Sequence, residues 1–363
     1  ESENSFKEHD SQIMEILTNV GKKNPEIVFP YITKYYKSIK ISKIRMRIIS
    51  LFNIFIQEQI NTKGVINEIN PCFLLIQTFK KSKDQRVLNF ALKQVIDIFN
   101  KDKEDFIKNY QWLARIIGNK AIYNSELDNL KEIFKFFKEM IEIDPNFMDI
   151  ILPSIKKIYR NDQLETDIEI IKFIGYLSLY DITKLEEFIS KIQKSLEIKN
   201  IHFRRYVIEA IGRFGYSDFK LLKSNLSQII KLSFYSDLIP EISKILALHI
   251  QDYTPEILNE IRTIFNEKKF RTSIINLISE LIKTSSNKVN VKFIDSLLKI
   301  ENKDIDIVKK LNDIKYSLKD PHESIRFCPL CFSKNASTSR FCNEDGFLLT
   351  LANGIPFKPE EIV

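Results

Sequence analysis

Pairs of amphipathic segments recur along most of this chain at intervals of about 40 residues. Within the segments, apolar residues return at helical spacing, as in Leu130, Ile133, Phe134, Phe137 and Ile141. A two-helix unit cannot bury its apolar face alone, so each pair must stack on the next pair. The sequence therefore predicts an all-α fold, a right-handed α-solenoid of about eight helix pairs. The first segments of the pairs begin near Phe6, Ser42, Asp84, Ser125, Leu164, Ile201, Ser236 and Lys269.

The segment 201–216, IHFRRYVIEAIGRFGY, fixes the register of these units. Arg205 stands early in it and is followed by a small residue, Ala210. We expect the small residue to permit a close helix crossing, and the Arg to bind an adjacent turn and connect neighbouring units. The same spacing recurs, with a small or polar residue after the Arg, at Arg45 and Ser50, Arg86 and Ala91, and Arg271 and Asn276.

These units resemble HEAT and armadillo-like repeats in length, register and apolar period. The resemblance implies two antiparallel helices in each unit and a curved array whose second helices line the concave surface. Basic residues gather on the predicted second helices and at their ends, where they would line a partner-binding surface. Such a surface could bind an acidic protein partner or a phosphate backbone. The alternative is an ordinary solvent-exposed face on which the lysines provide solubility. These residues are Lys34, Lys37, Lys80, Lys81, Lys156, Lys157, Arg160, Lys223 and Lys231.

The segment after Pro321 differs from the helical part, with Cys, Gly and short apolar alternations in place of amphipathic helices. Proline at this position stops the last predicted helix. We therefore predict two domains, a solenoid over residues 1–320 and a small metal-binding domain over residues 321–363.

Three cysteines in this last domain have the spacing of metal ligands. Cys328 and Cys331 form a CxxC turn, and Cys342 opens a second turn in which Asp345 takes the place of the last Cys. A CxxC turn presents two thiolates on one side of a tight loop, so two facing turns can surround Zn²⁺ tetrahedrally. We predict a structural Zn²⁺ with these four residues as ligands. The alternatives are a degenerate site, or a site that uses His322.

The same segment resembles small zinc ribbons of the form CPxCGxxN…FCxxCG. Asn335 stands where that family often has Asn, and Gly346 follows the second turn as the family pattern requires. The chain departs from the pattern at Phe332, where the family has Gly, and at Asp345, where it has Cys. The resemblance implies a small β element and a structural metal.

Composition argues against most enzyme classes. The chain has only 8 Gly, and it contains no GxxxxGK[ST], GxGxxG, HExxH or GxSxG motif. Those motifs supply the phosphate cradles, metal sites and nucleophile turns of many enzymes, so we expect no enzymatic activity. A HEAT-like DNA glycosylase or lyase is the remaining enzymatic alternative. Such enzymes line a groove with several aromatic residues, and the single Trp argues against it.

The leading functional hypothesis is a non-enzymatic scaffold or adaptor that binds a protein along the concave surface, with the zinc ribbon as a second docking element or cap. The net charge of +7 also permits nucleic-acid binding through phosphates. Clustered cysteines at metal spacing indicate a reducing compartment, and we expect a cytoplasmic protein. Cys72 stands alone in an apolar segment, where we expect a buried packing residue. No segment approaches ~20 uncharged apolar residues, so we expect no transmembrane helix.

Overall fold

The chain forms two compact units, Glu1–Arg160 and Asn161–Val363, in the computed structural model. This division falls inside the helical part that the sequence led us to treat as one domain. Six residues named above lie outside the described residues: Cys72, Lys80, Ser125, Arg160, Pro321 and His322. The structure describes residues 2–38, 41–62, 75, 78–79, 81–104, 106–108, 117, 127–159, 164–285, 288–318, 325–336, 339, 341–347 and 349.

The described helices of the first unit pack on neighbours in the sequence. The first three contact one another, and the third contacts the fourth. Asp84 begins the fourth helix by accepting a hydrogen bond from the Arg86 amide, while Pro25 opens the second helix. These helices are α1 (Ser2–Lys23), α2 (Pro25–Ser38), α3 (Ser42–Thr62), α4 (Gln85–Lys101), α5 (Leu127–Ile143) and, after a 3₁₀ turn at Pro145–Phe147, α6 (Met148–Ile158).

The second unit contains ten longer or shorter helices within its described ranges, linked by 3₁₀ turns and short loops. The 3₁₀ turns are Ile182–Leu185, Ser195–Glu197, Leu232–Phe234, Ser236–Leu238 and Lys268–Phe270. The helices are α7 (Leu164–Leu177), α8 (Glu186–Lys194), α9 (Ile201–Ser217), α10 (Phe219–Lys223), α11 (Leu226–Lys231), α12 (Ile239–His249), α13 (Thr254–Phe265), α14 (Arg271–Ser285), α15 (Val291–Ile300) and α16 (Ile305–Ser317).

Two series of contacts run through the second unit. The first helices α7, α9, α12, α14 and α16 contact one another in chain order, and the second helices α11, α13 and α15 do the same. The prediction of an all-α fold is therefore confirmed, with the packing between adjacent helices that an α-solenoid requires. No helix in the described ranges is long and apolar enough to cross a membrane.

Small residues let α9 lie close to both of its neighbours. A Cβ built on Gly175 of α7 would lie 3.2 Å from the Cα of Ala210. On the other side, a Cβ on Gly212 would overlap the end of the Ile245 side chain of α12. Ala210 is fully buried at this crossing, as the predicted register requires. Larger residues at Gly175 or Gly212 would therefore push the helices apart.

Arg205 and Arg271 pair with carboxylates later in the chain, whereas Arg86 lies 3.6 Å from Asp84 at the start of its own helix. Arg205 Nε lies 3.2 Å from Glu241 Oε1 in α12, and its Nη2 donates to the Asp237 carbonyl at 3.4 Å. Arg271 forms the corresponding ion pair with Glu301, at the end of α15. Asn276, in contrast, is exposed. The register thus predicts the arginine contact in the α14 unit but not the small residue at its crossing.

A buried histidine forms a hydrogen bond between α12 and α9. His249, the last residue of α12, is 3% exposed, and its Nε2 lies 2.9 Å from the Gly212 carbonyl oxygen. A carbonyl can only accept, so Nε2 carries the proton and donates it. Burial lowers the pKa of His249 to about 4, so the ring is neutral at pH 7.

The C-terminal knuckle, as we call the described residues from 325 to 349, is a small β element. Its strands β1 (Ile325–Phe327) and β2 (Lys334–Ala336) pair antiparallel, with Arg326 opposite Asn335. Strand β1 contacts α12. A small apolar core of Cys328, Cys342 and Leu349 lies between the turns of the knuckle.

Candidate metal centre

The first turn of the knuckle begins where β1 ends. The Phe332 amide donates to the Cys328 carbonyl at 2.9 Å, and the Cys328 amide donates to the Ser333 carbonyl at 3.0 Å. These bonds close the turn, and Phe332 adopts a φ of 58° within it. This left-handed backbone region favours glycine. The position where the sequence pattern led us to expect Gly is therefore one where Gly is physically preferred.

The second turn repeats the backbone bonds of the first. The Gly346 amide donates to the Cys342 carbonyl at 3.0 Å, and the Cys342 amide donates to the Phe347 carbonyl at 2.8 Å. Gly346 has a φ of 71°, which corresponds to the left-handed residue of the first turn. Asp345 thus holds the same place in its turn as Cys331 does in the other.

The two turns bring the four predicted ligands together. One ligand atom from each of Cys328, Cys331, Cys342 and Asp345 lies within 4.8 Å of the others. Cys328 Sγ is 3.3 Å from Asp345 Oδ2, and the Sγ atoms of Cys331 and Cys342 are 3.6 Å apart. Thiolates about 2.3 Å from a tetrahedral Zn²⁺ lie roughly 3.8 Å from one another. The four side chains can therefore hold a metal ion.

Polar groups of the first turn surround the sulfur atoms. The Leu330 amide donates to Cys328 Sγ at 3.3 Å. The Ser333 hydroxyl lies 3.0 Å from Cys331 Sγ and 3.0 Å from Cys342 Sγ, so it contacts both turns. Hydrogen-bond donors around a thiolate stabilise its negative charge and fix its direction.

Asn335 joins β2 to the second turn. It is buried; its side-chain nitrogen donates to Cys342 Sγ at 3.7 Å, and its side-chain oxygen accepts from the Asn343 amide at 2.9 Å. The amide of Asn335 therefore binds both a ligand atom and the backbone beside it. This accounts physically for an Asn at the position singled out in the sequence.

The pKa values of the predicted ligands shift in different directions. Burial raises the pKa of the Cys328 thiol. Burial alone would also raise the pKa of Asp345, but hydrogen bonds from the Cys331 side chain and the Phe347 amide lower it below its usual value. Burial also acts to raise the pKa of Cys342, but hydrogen bonds with Ser333 and with backbone amides lower it below its usual value. Without a metal, the protonated Cys328 thiol thus lies beside an ionised Asp345 carboxylate. A bound cation displaces the thiol protons.

The knuckle rests on α9 through Arg213. Its Nε donates to the Pro329 carbonyl at 3.2 Å, and its Nη2 donates to the Leu330 carbonyl at 2.9 Å. The guanidinium carbon lies 4.7 Å from the centre of the Phe332 ring. All three contacted residues belong to the first turn of the knuckle. Sequence reasoning missed Arg213, because no local spacing connects it with a turn 116 positions later.

The predicted basic residues lie on several helices of the two units. Lys34 and Lys37 lie on α2, Lys156 and Lys157 in the last turn of α6, Lys223 at the end of α10 and Lys231 at the end of α11. Lys81 and all of these except Lys231 are exposed. Lys231 is partly buried and forms an ion pair with Glu267 at 2.8 Å.

No model of a known protein family matches the chain, and no curated protein matches it significantly. The identification of the site therefore depends on its own geometry. The chain is a helical protein with a C-terminal cluster of three cysteines and an aspartate, and the geometry of this cluster allows it to hold a metal.

Proposed function

We propose that the four-residue centre binds Zn²⁺ and that the knuckle is a structural zinc ribbon. The observation that carries this proposal is the convergence of four ligand atoms from Cys328, Cys331, Cys342 and Asp345 within 4.8 Å. Zn²⁺ is a borderline-soft ion that accepts thiolate and carboxylate ligands in tetrahedral geometry. Four protein ligands close the coordination shell. A catalytic zinc instead keeps one position for water or substrate, so the closed shell supports a structural role.

Zinc analysis tests this proposal directly. Protein purified without added metal should contain about one Zn²⁺ per chain by inductively coupled plasma mass spectrometry, because four ligands make one closed tetrahedral site. Incubation with a strong chelator under reducing conditions should release that metal and expose three further reactive thiols. A folded chain with intact thiols and no metal would overturn the proposal, and so would stoichiometric iron in place of zinc.

We further propose that the helices form a HEAT-like, non-enzymatic scaffold that binds a protein partner in the cytoplasm. An aromatic–lysine surface in the second unit, formed by Lys231, Phe234, Tyr235, Lys269 and Phe270, supports this. Phe234 is 62% exposed, and its ring packs edge-on against Tyr235 at 5.9 Å and Phe270 at 6.4 Å. The Nζ atoms of Lys231 and Lys269 lie 5.8 Å and 4.8 Å from the Phe270 ring centre. Aromatic anchors of this kind dominate binding energy at protein interfaces.

Both lysines pair with Glu267, at 2.8 Å and 3.7 Å, so the exposed rings are the feature that would bind a partner. The surface therefore complements a partner segment with an apolar anchor. Replacing Phe234 by Ala should weaken partner binding by roughly 30-fold, the loss of an average interface hot spot. Quantitative mass spectrometry after affinity purification from the native host measures this, with Ile305→Ala as the matched control. Ile305 is 82% exposed and lies outside this surface. If both variants retain the same proteins in the same amounts, the surface is not the binding site.

Nucleic-acid binding is the alternative, because lysines beside exposed rings can contact phosphates and stack on bases. Fluorescence anisotropy with a labelled oligo-dT and a labelled RNA, over a salt series, distinguishes the two functions. The scaffold proposal expects no measurable binding at roughly 0.15 M salt. Tight binding that falls steeply with salt would instead assign the surface to nucleic acid.

A further inference from the structure

We infer that Arg213 of α9 is a positioning residue of the metal centre, and that metal binding and docking of the knuckle on α9 stabilise each other. The inference rests on the proposed metal site. It adds a residue that lies in the helical part of the chain, 116 positions before the turn that it contacts.

The hydrogen bonds of Arg213 go to the two residues between the first pair of ligands. Pro329 and Leu330 separate Cys328 from Cys331, and Arg213 binds the carbonyl oxygens of both at 3.2 Å and 2.9 Å. A guanidinium is planar and carries its donors in a fixed fork, so two bonds from one edge set the orientation of the peptide units that they contact. The Leu330 amide in turn donates to Cys328 Sγ. Arg213 thereby orients one donor to a ligand and the backbone that joins two ligands.

The ring of Phe332 gives docking a second basis. A left-handed conformation is unfavourable for a non-glycine residue, and Phe332 holds a φ of 58°. Its ring lies over the guanidinium of Arg213 at 4.7 Å, a cation–π contact that offsets part of this cost. Glycine would relieve the strain but would leave that face of Arg213 uncovered. Docking on α9 therefore gives a physical reason for Phe where the turn favours Gly.

Charge links docking to the metal. Three thiolates, one carboxylate and one Zn²⁺ carry a net charge of about −2. Arg213 brings a partly buried positive charge to this centre. Its guanidinium lies against the first turn, on two carbonyl oxygens and the Phe332 ring. Attraction between this cation and the negatively charged centre acts in both directions, so metal binding strengthens docking and docking strengthens metal binding.

Coupling of this kind reaches the middle of the helical array. In a repeat protein, a C-terminal element acts mainly on its nearest neighbours in sequence. Here the knuckle contacts α9 through Arg213 and α12 through β1. Loss of the metal should therefore loosen α9, although α13 to α16 separate α12 from the knuckle in sequence.

Arg213→Met tests the inference, with Arg213→Lys as the conservative variant and Arg205→Met as the matched control. We expect Arg213→Met to raise the Kd for Zn²⁺ by 10- to 100-fold, the usual effect of removing a residue that orients ligands. The Kd of Arg213→Lys should fall between those of the unsubstituted protein and Arg213→Met, because Lys keeps the charge but lacks the planar fork. Arg205 lies on the same helix as Arg213. The substitution Arg205→Met breaks its ion pair with Glu241 of α12 and should leave the Kd for Zn²⁺ within about twofold of the unsubstituted value. Competition with a chromophoric chelator measures all three.

Hydrogen exchange supplies a readout that a merely structural role would not change. Zn²⁺ should slow exchange of the α9 amides in the unsubstituted protein and much less in Arg213→Met. If Arg213→Met does not fold, Arg213→Lys carries the comparison. Equal Zn²⁺ affinity in all variants would overturn the role of Arg213 and leave the metal site intact. Absence of Zn²⁺ binding by the unsubstituted chain would overturn both.

Discussion

Cys331→Ser is expected to abolish stoichiometric zinc binding and to unfold the knuckle. Cys331 is exposed, so the substitution removes a ligand without opening a cavity in the knuckle core. Structural zinc contributes about 10–16 kcal/mol of apparent binding free energy in zinc-finger peptides, and three ligands retain only part of it. The knuckle has only two three-residue strands and a small apolar core, which cannot replace that contribution. Metal analysis and two-dimensional NMR of the knuckle amides measure the loss.

Asp345→Cys is the matched control for this variant. Asp345 holds the same place in the second turn as Cys331 does in the first, so a thiolate there completes a four-cysteine site. We expect this protein to keep about one zinc per chain and to bind it more tightly than the unsubstituted protein. Full zinc content in Cys331→Ser, or loss of zinc in Asp345→Cys, would contradict the assignment of ligands. Far-UV circular dichroism should show the helices largely intact in both.

Local signals explain which features the sequence could predict. Helices α7 and α9 begin at Leu164 and Ile201, where the apolar period placed them. The Asn200 side chain accepts from the Phe203 amide and so marks the start of α9. The ligands of the metal centre also follow from short spacings, because each turn is closed by bonds within six residues. Features of this kind need no knowledge of the tertiary fold.

Features that depend on distant contacts were not predictable in this way. The docking of the knuckle joins Arg213 to residues 116 and 117 positions later, and the charge pattern of α9 does not reveal it. The division of the helical part after Arg160 is a second example, because it depends on which helices contact one another. The pairing of Lys231 with Glu267 is a third. Side-chain partners across units depend on how the helices stack.

Acidification is expected to destabilise the second unit through His249. In the unfolded chain the ring titrates near its ordinary pKa of 6.5, whereas the buried ring titrates at about 4. The unfolded state therefore binds an additional proton between these values, and folding stability falls as pH decreases through that window. The full difference is about 3 kcal/mol, since one pKa unit corresponds to about 1.4 kcal/mol. Urea denaturation from pH 7.5 to 4.5, with chelator present throughout so that metal release does not contribute, measures the slope.

His249→Gln separates this effect from other titrating groups. A Gln amide can also donate to the Gly212 carbonyl but does not titrate, so the variant should lose most of the acid sensitivity even if it is less stable at pH 7. Glu209, on α9, acts in the opposite direction. Burial raises its pKa in the folded state, so its contribution is present at low pH and is lost as pH rises through the folded pKa. The difference between the two proteins cancels Glu209, and identical pH slopes would exclude His249 as the cause.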